Sequence, residues 1–200
     1  MTQSPTGWGE DALTRFLEKA RDNTHATFAN LPNSYRRFRD LDGLFIQLFA
    51  DYRDPEHPIG AALALRCHSA LRVSAQLAMA GQVPEAFMTL RGALEMAMYA
   101  FHASTTKERT LTWLNRYDSE DARKACSREF TPRVMFPVLR LQDAGLGDIV
   151  GQLYERTIDY GAHPNAAGVL TTMKHDTTPE GDRIRSSNQC LGRLLVSRTK

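Results

Sequence analysis

The chain has 200 residues, of which 42% are hydrophobic and 24% charged, and its formal net charge is +2. These values are typical of one globular domain with a buried core, and they exclude a disordered chain and a strongly basic nucleic-acid-binding composition. Three widely spaced cysteines, a polar N-terminus and the absence of a run of about 20 apolar residues favour a cytoplasmic protein without a disulfide framework, secretory signal or membrane span.

The first 58 residues show the periodicity of two helices. Apolar residues from Leu13 to Phe28 recur three and four positions apart, which places them on one helical face. The Leu31-Pro32-Asn33 segment predicts a break, and Ser34 is the expected N-cap of a second helix. That helix is expected to end at Asp54-Pro55.

Residues 59 to 104 carry the clearest pattern in the sequence. Residues 59 to 80 are rich in alanine, which allows a neighbouring helix to approach closely. Residues 84 to 103 are apolar almost all round, as in a buried helix. The short connection from Gly81 to Pro84 suits a helix end followed by a helix start. We therefore predict a central antiparallel helical hairpin.

Three of the charged residues in this apolar hairpin are expected to lie close together. Arg91 and Glu95 are four apart on one helix, and Arg72 lies on the facing helix at about the same distance from the turn. An ionised Glu95 requires a partner, so we expect it to contact Arg91, Arg72 or both. A structural ion-pair seam explains these residues better than a catalytic carboxylate does.

The second half of the chain predicts shorter helices and then a change of character. Helix starts are expected at Thr105, Ser119 and Thr131, and a last helix over residues 147 to 162 after the Gly145-Leu146-Gly147 interruption. Beyond it, residues 169–173 and 183–185 are expected to flank a turn as a small irregular hairpin. The predicted architecture is an all-α, single-domain helical bundle (residues 1–164) followed by an irregular, turn-rich segment (165–200), for which an incomplete helix is one expectation.

Arg156 and His163 form the one candidate catalytic pair. They are seven residues apart, so they share a helical face, with Asp159 and Tyr160 between them as candidate binding residues. A histidine could move the proton of a ribose 2′-hydroxyl while an arginine stabilises the phosphate. The alternative is a helix-terminating His163 that caps carbonyl groups, with Arg156 paired to Asp159 or to another helix.

The sequence gives no sign of a metal or cofactor site. Its six histidines are dispersed, with no H-x-x-x-H or E-x-x-H pair. No Walker loop, G-x-G-x-x-G or G-x-S-x-G motif is present. We therefore expect no metal and no cofactor.

Two segments carry a resemblance to known proteins. The Glu85 to Glu95 sequence EAFMTLRGALE, with Trp113 and the later Tyr160 to Pro164 segment, resembles a family of uncharacterised bacterial helical proteins. Over residues 60 to 165 the arrangement is similar to the HEPN superfamily of four- to five-helix domains. Many of its members are toxin or phage-defence ribonucleases with an R-x(4–6)-H motif, and others are non-catalytic nucleotide- or protein-binding modules.

Three functions stay open, the first two of them implied by the resemblance. The first is a HEPN-like module that acts through protein, nucleotide or RNA binding in bacterial stress or defence, as a homodimer. The second is a metal-independent endoribonuclease that uses His163 and Arg156, although Thr157 stands where active members usually have Asn, Asp or His. The third is a purely structural helical protein.

Overall fold

The computed structural model describes residues 4–50, 52, 58–162, 173–178 and 181–186, the last two segments and residue 162 by their backbone only. It is an all-α bundle with a small β-hairpin near the C-terminus. The first four helices are α1 (Ala12–Asn30), α2 (Pro32–Ala50), α3 (Pro58–Met79) and α4 (Val83–Ser104). They are followed by α5 (Lys107–Leu114), α6 (Glu120–Glu129), α7 (Pro132–Gln142) and α8 (Ala144–Thr157).

The helical hairpin at the centre of the fold is confirmed. α3 and α4 make the most extensive helix–helix contact among the described elements. Gly81 has a φ of 83°, the left-handed conformation that glycine adopts at least cost where a helix ends. The Ser74 hydroxyl donates to the Ala86 carbonyl at 2.8 Å and joins the two helices near their connection.

The buried core lies where α4 packs against α6, α7 and α8. Its buried residues come from α4, α6, α7, α8 and the start of the α6–α7 link: Met98, Ala103, Cys126, Phe130, Met135 and Tyr154. The Tyr99 hydroxyl donates to the Phe130 carbonyl at 3.0 Å, so a hydrogen bond also stabilises the core. Of the helices described, none has the length and apolar character needed to cross a membrane.

α1 and α2 form an outer layer with an unusual link. A single residue, Leu31, separates them, with φ −124° and ψ 57°. Pro32 disfavours helical geometry at Leu31 and then begins α2 at the position where proline is best tolerated. The prediction that Ser34 caps this helix is therefore wrong, because α2 has already begun at Pro32.

α8 also begins earlier than predicted. The Asp143 carboxylate accepts from the Leu146 N–H at 2.9 Å and caps the helix. The Gly145-Leu146-Gly147 segment consequently lies inside α8 rather than interrupting the chain. After Thr157 the backbone continues as a π-helical segment, Ile158–Ala162.

The hairpin consists of β1 (Met173–Thr178) and β2 (Gly181–Ser186), which pair antiparallel with Met173 opposite Ser186 and Thr178 opposite Gly181. The strands extend closer to the turn than the predicted segments 169–173 and 183–185, since β1 ends at Thr178 and β2 begins at Gly181. Residues 169–172 of the predicted first strand lie outside the described residues.

Candidate functional site

The predicted Arg156 site lies at the C-terminal end of α8. Arg156, Asp159 and Tyr160 are all exposed, and the Tyr160 ring stacks on Phe87 of α4 with centroids 5.4 Å apart. His163 lies outside the described residues, so the pairing of Arg156 with His163 stays a prediction.

The π-helical segment fixes this end of α8 against α4. A Cβ atom at Gly161 would lie 2.6 Å from the Met88 backbone nitrogen and 2.7 Å from the Phe87 Cβ. Only glycine fits so close to another helix. Thr157 is fully buried, and its hydroxyl donates to the Tyr154 carbonyl at 2.7 Å.

Arg156 borders a cavity of about 510 Å³ between α7 and α8. The charged residues around it are Arg140, Asp148, Glu155 and Arg156, two cations and two carboxylates. Arg140 donates to Asp148 at 3.0 Å. The four charges cancel, so the lining of this cavity carries no net charge.

The expected ion pair of Glu95 is present, with Arg91 as its partner. Arg91 donates to Glu95 at 2.9 Å and to the Tyr154 hydroxyl at 3.1 Å, and that hydroxyl donates to Glu95 at 3.3 Å. Arg72, the other expected partner, does not contact Glu95. Arg72 pairs with Asp42, because α2 packs on the flank of α3 that carries Arg72.

Asp42 is the centre of a cluster that the sequence analysis missed. Its carboxylate accepts from Arg72 Nε at 2.6 Å and Nη2 at 3.1 Å, and it lies 2.6 Å from His68 Nε2. The hydrogen bonds from Arg72 and then His68 lower the pKa of Asp42 to about 2. His68 is held by stacking on Phe45, with parallel rings 4.8 Å apart.

A second polar cluster is buried between α4 and α6. His102 is fully buried, and its Nε2 lies 2.8 Å from Glu129, which also accepts from Arg109 Nε at 2.8 Å. Arg109 in turn donates to the Thr105 hydroxyl at 2.7 Å. The His102 ring itself has no exposed surface, while Glu129 and Arg109 lie at the edge of the cluster with side chains 33% and 25% exposed.

The α1–α2 layer reverses the usual distribution of side chains. The buried residues of α1 are both polar, Asn23 and Thr27, and they donate to the Ala80 and Met79 carbonyls. α2 has no buried residue. The large apolar side chains exposed on the two helices and at their link are Leu13, Phe16, Leu17, Phe28, Leu31, Leu41, Leu44, Ile46 and Leu48.

No family model, no curated protein and no solved structure matches this chain. Within the described residues, no His, Cys, Asp and Glu side chains come together in a group that could hold a metal ion.

A signal for the missed residues was present in the sequence. Asp42 falls in the apolar stripe of α2, between Phe38 and Phe45, and a carboxylate on a packing face requires a partner. Its partners are 26 and 30 residues away, and only the packing of α2 on α3 identifies them.

Proposed function

We propose that the chain is a helical protein-binding module that works as a symmetric homodimer, with the α1–α2 layer as its interface. The observation that carries the proposal is the reversed layer, in which polar side chains are buried and large apolar ones are exposed. Extended apolar surface of this kind is typical of protein interfaces, because soluble monomers rarely leave it uncovered.

The exposed residues form two matching stripes. On α1, the exposed Leu13 and Leu17 are four residues apart and the half-buried Ala20 follows three residues later; on α2, the exposed Leu41, Leu44 and Leu48 are three and four apart. Each spacing places its residues on one face of a helix. The spacings run in opposite order, so the stripes fit together when the two helices are antiparallel.

The chain cannot bring its own two stripes together. Antiparallel helix hairpins need a link of about two to five residues, and here Leu31 alone separates the helices. α1 and α2 touch near this link, where the Phe28 and Tyr35 rings lie 4.7 Å apart. Away from it both stripes face solvent: Leu13 is 65% exposed and Leu44 is 62% exposed.

A second copy of the chain can cover the two apolar stripes that the first copy leaves exposed. In an antiparallel arrangement, Leu17 packs on Leu44 of the partner subunit and Leu13 on Leu48 of the partner subunit. The two-fold axis passes near Leu31, so every contact is made twice, as in an isologous dimer. Phe28 and Leu31 lie at the centre of this interface.

The size of the surface fits a stable dimer. The stripes, the link and the neighbouring phenylalanines are about half exposed. Together they offer roughly 800 Å² per subunit, the share of one partner in an interface of standard size.

Sedimentation velocity tests this interface. We expect the wild-type protein to sediment as a dimer and Leu44→Glu to sediment as a monomer, because the substitution buries an unpaired charge at the interface. Ile46→Glu is the matched control: Ile46 is 51% exposed on the same helix, but two residues from Leu44 and so on another face. A wild-type monomer, or equal behaviour of the two variants, would overturn the proposal.

Disulfide cross-linking tests the register. Leu17→Cys with Leu44→Cys, in a Cys190→Ser background, should give a covalent dimer on mild oxidation, since Cys67 and Cys126 are buried. Leu17→Cys with Ile46→Cys should not cross-link. A disulfide formed within one chain would mean that α1 and α2 close on each other, which contradicts the proposal.

The ribonuclease hypothesis remains a second candidate because Arg156 is exposed beside a cavity. It expects RNA cleavage that resists a chelator and is lost in both Arg156→Ala and His163→Ala. Equal cleavage by wild type and His163→Ala would remove it and leave the dimer proposal untouched.

A further inference from the structure

A cavity of about 330 Å³ lies between α1, α2 and α3. Its walls are mostly apolar and come from Phe38 and Leu41 of α2 and from Leu71, Ala75 and Met79 of α3. This volume is at the lower end of the range of small-molecule sites. Three helices that leave such a space between apolar side chains lose the contacts that would otherwise fill it.

The charged groups of the cavity are not equivalent. Asp42 is already satisfied, because it receives two hydrogen bonds from Arg72 and a contact with His68. Arg72 uses Nε and Nη2 for Asp42, which leaves Nη1 for another acceptor. Arg39, which also lines the cavity, donates to Asp40 through Nε and Nη2 and is 61% exposed. The hydrogen-bond donors that remain unused at the rim of the cavity therefore belong to the guanidinium groups of Arg39 and Arg72.

We infer that this cavity is a binding site for a small amphipathic anion. The apolar body of the ligand lies among Phe38, Leu71 and Ala75, and its anionic group lies at the rim between Arg39 and Arg72. A carboxylate there meets guanidinium groups whose planar donors suit it. A cation is disfavoured, because Asp42, the one carboxylate among the described residues that line the cavity, is already paired with Arg72 and His68.

Octanoate and octanol are suitable probes, since they share an apolar chain and differ in charge. Titration of the ¹⁵N-labelled protein should give saturable shifts with octanoate at residues of α2 and α3. Octanol should bind more weakly. Arg39→Gln, an exposed substitution, should reduce the octanoate affinity about threefold, the effect of an exposed charge pair, and leave octanol unchanged.

Filling the cavity tests its location. Ala75→Phe should weaken octanoate binding at least about tenfold, because the ring occupies the space of the ligand. Ala97→Phe is the matched control: it adds the same group to a different apolar cavity, of about 200 Å³, between α4, α7 and α8. The measurements are repeated on Leu44→Glu, so that binding is separated from self-association.

Three results would overturn the inference. The first is octanoate binding that Ala75→Phe leaves unchanged. The second is equal affinity of the wild type for octanoate and octanol, and the third is no saturable binding of either. The inference is supported if Ala97→Phe still binds octanoate, Ala75→Phe does not, and Arg39→Gln weakens the binding of octanoate but not of octanol.

Discussion

His102 makes the stability of the fold sensitive to pH. Burial lowers its pKa from the usual 6.5, and Arg109 adds to this effect, while the hydrogen bond with Glu129 opposes it. The neutral ring donates from Nε2 to Glu129. Its Nδ1 has no hydrogen-bond partner among the described residues, so a proton there would be a buried, unsatisfied donor.

The sign of the effect follows from this lowered pKa. The unfolded chain takes up the His102 proton near pH 6.5, and the folded protein resists it, so stability is greatest above 6.5 and falls as the pH drops below it. His102 alone can remove at most about 1.4 kcal/mol per pH unit. We expect His102→Gln, which keeps a donor for Glu129, to flatten the dependence of the free energy of unfolding on pH.

Urea denaturation on both sides of pH 6.5 measures this slope. The control is His25→Gln, since His25 is exposed on α1 and makes none of these buried contacts. Equal slopes for His102→Gln and the wild type would assign the pH sensitivity to other groups.

Some residues with local partners were predicted, whereas the residues with distant partners were not. Ser119 caps α6 by accepting from the Ala122 N–H, three residues away, and its position in the sequence indicated this role. At Thr105 the same reasoning missed by one residue: Thr106 caps α5, and Thr105 bonds back to the His102 carbonyl. Arg72 was assigned the wrong carboxylate, because the choice depends on which helix covers α3.

At the scale of elements, the π-helical segment positions the end of α8. We expect Gly161→Ala to destabilise the protein by about 1–3 kcal/mol, because the new Cβ meets the backbone of α4, which cannot yield as a side chain can. The change should appear as a lower urea midpoint.

Gly151 of α8 provides a matched control for this substitution. A Cβ at Gly151 would approach only the flexible Arg140 guanidinium, at 3.7 Å. Gly151→Ala should therefore be neutral or stabilise by up to about 1 kcal/mol, the difference in helix propensity between the two residues. If both substitutions shift the midpoint alike, close packing of Gly161 on α4 is not what holds this segment.

The start of α8 could not be predicted from the positions of glycines alone. The Gly145-Leu146-Gly147 segment looks like a turn, yet the Asp143 cap starts α8 before it. A Cβ at Gly147 would lie 3.1 Å from the Arg140 Cα, so this glycine is needed for the approach of α7 rather than for a turn. Which helix approaches Gly147 is a tertiary property that the sequence does not display.

At the scale of the whole molecule, the α1–α2 layer shows that helical periodicity predicts an apolar face but not what covers that face. Apolar residues at helical spacing normally indicate a face that packs in the core, and the sequence pattern placed the residues from Leu13 to Phe28 of α1 on one such face. The stripes are present, but the single-residue link at Leu31 keeps them apart. Whether an apolar stripe is covered by its own chain or by another depends on connection length as much as on the stripe.

The proposed dimer has a thermodynamic consequence that a monomer lacks. When unfolding releases two chains, mass action makes the thermal midpoint rise with protein concentration. A tenfold increase in concentration should raise the wild-type midpoint by about 2 °C for a chain of this length. Leu44→Glu should unfold at a midpoint independent of concentration, and Ile46→Glu should follow the wild type. Scanning calorimetry over a concentration series measures all three, and a constant wild-type midpoint would show that α1 and α2 are stable without a partner.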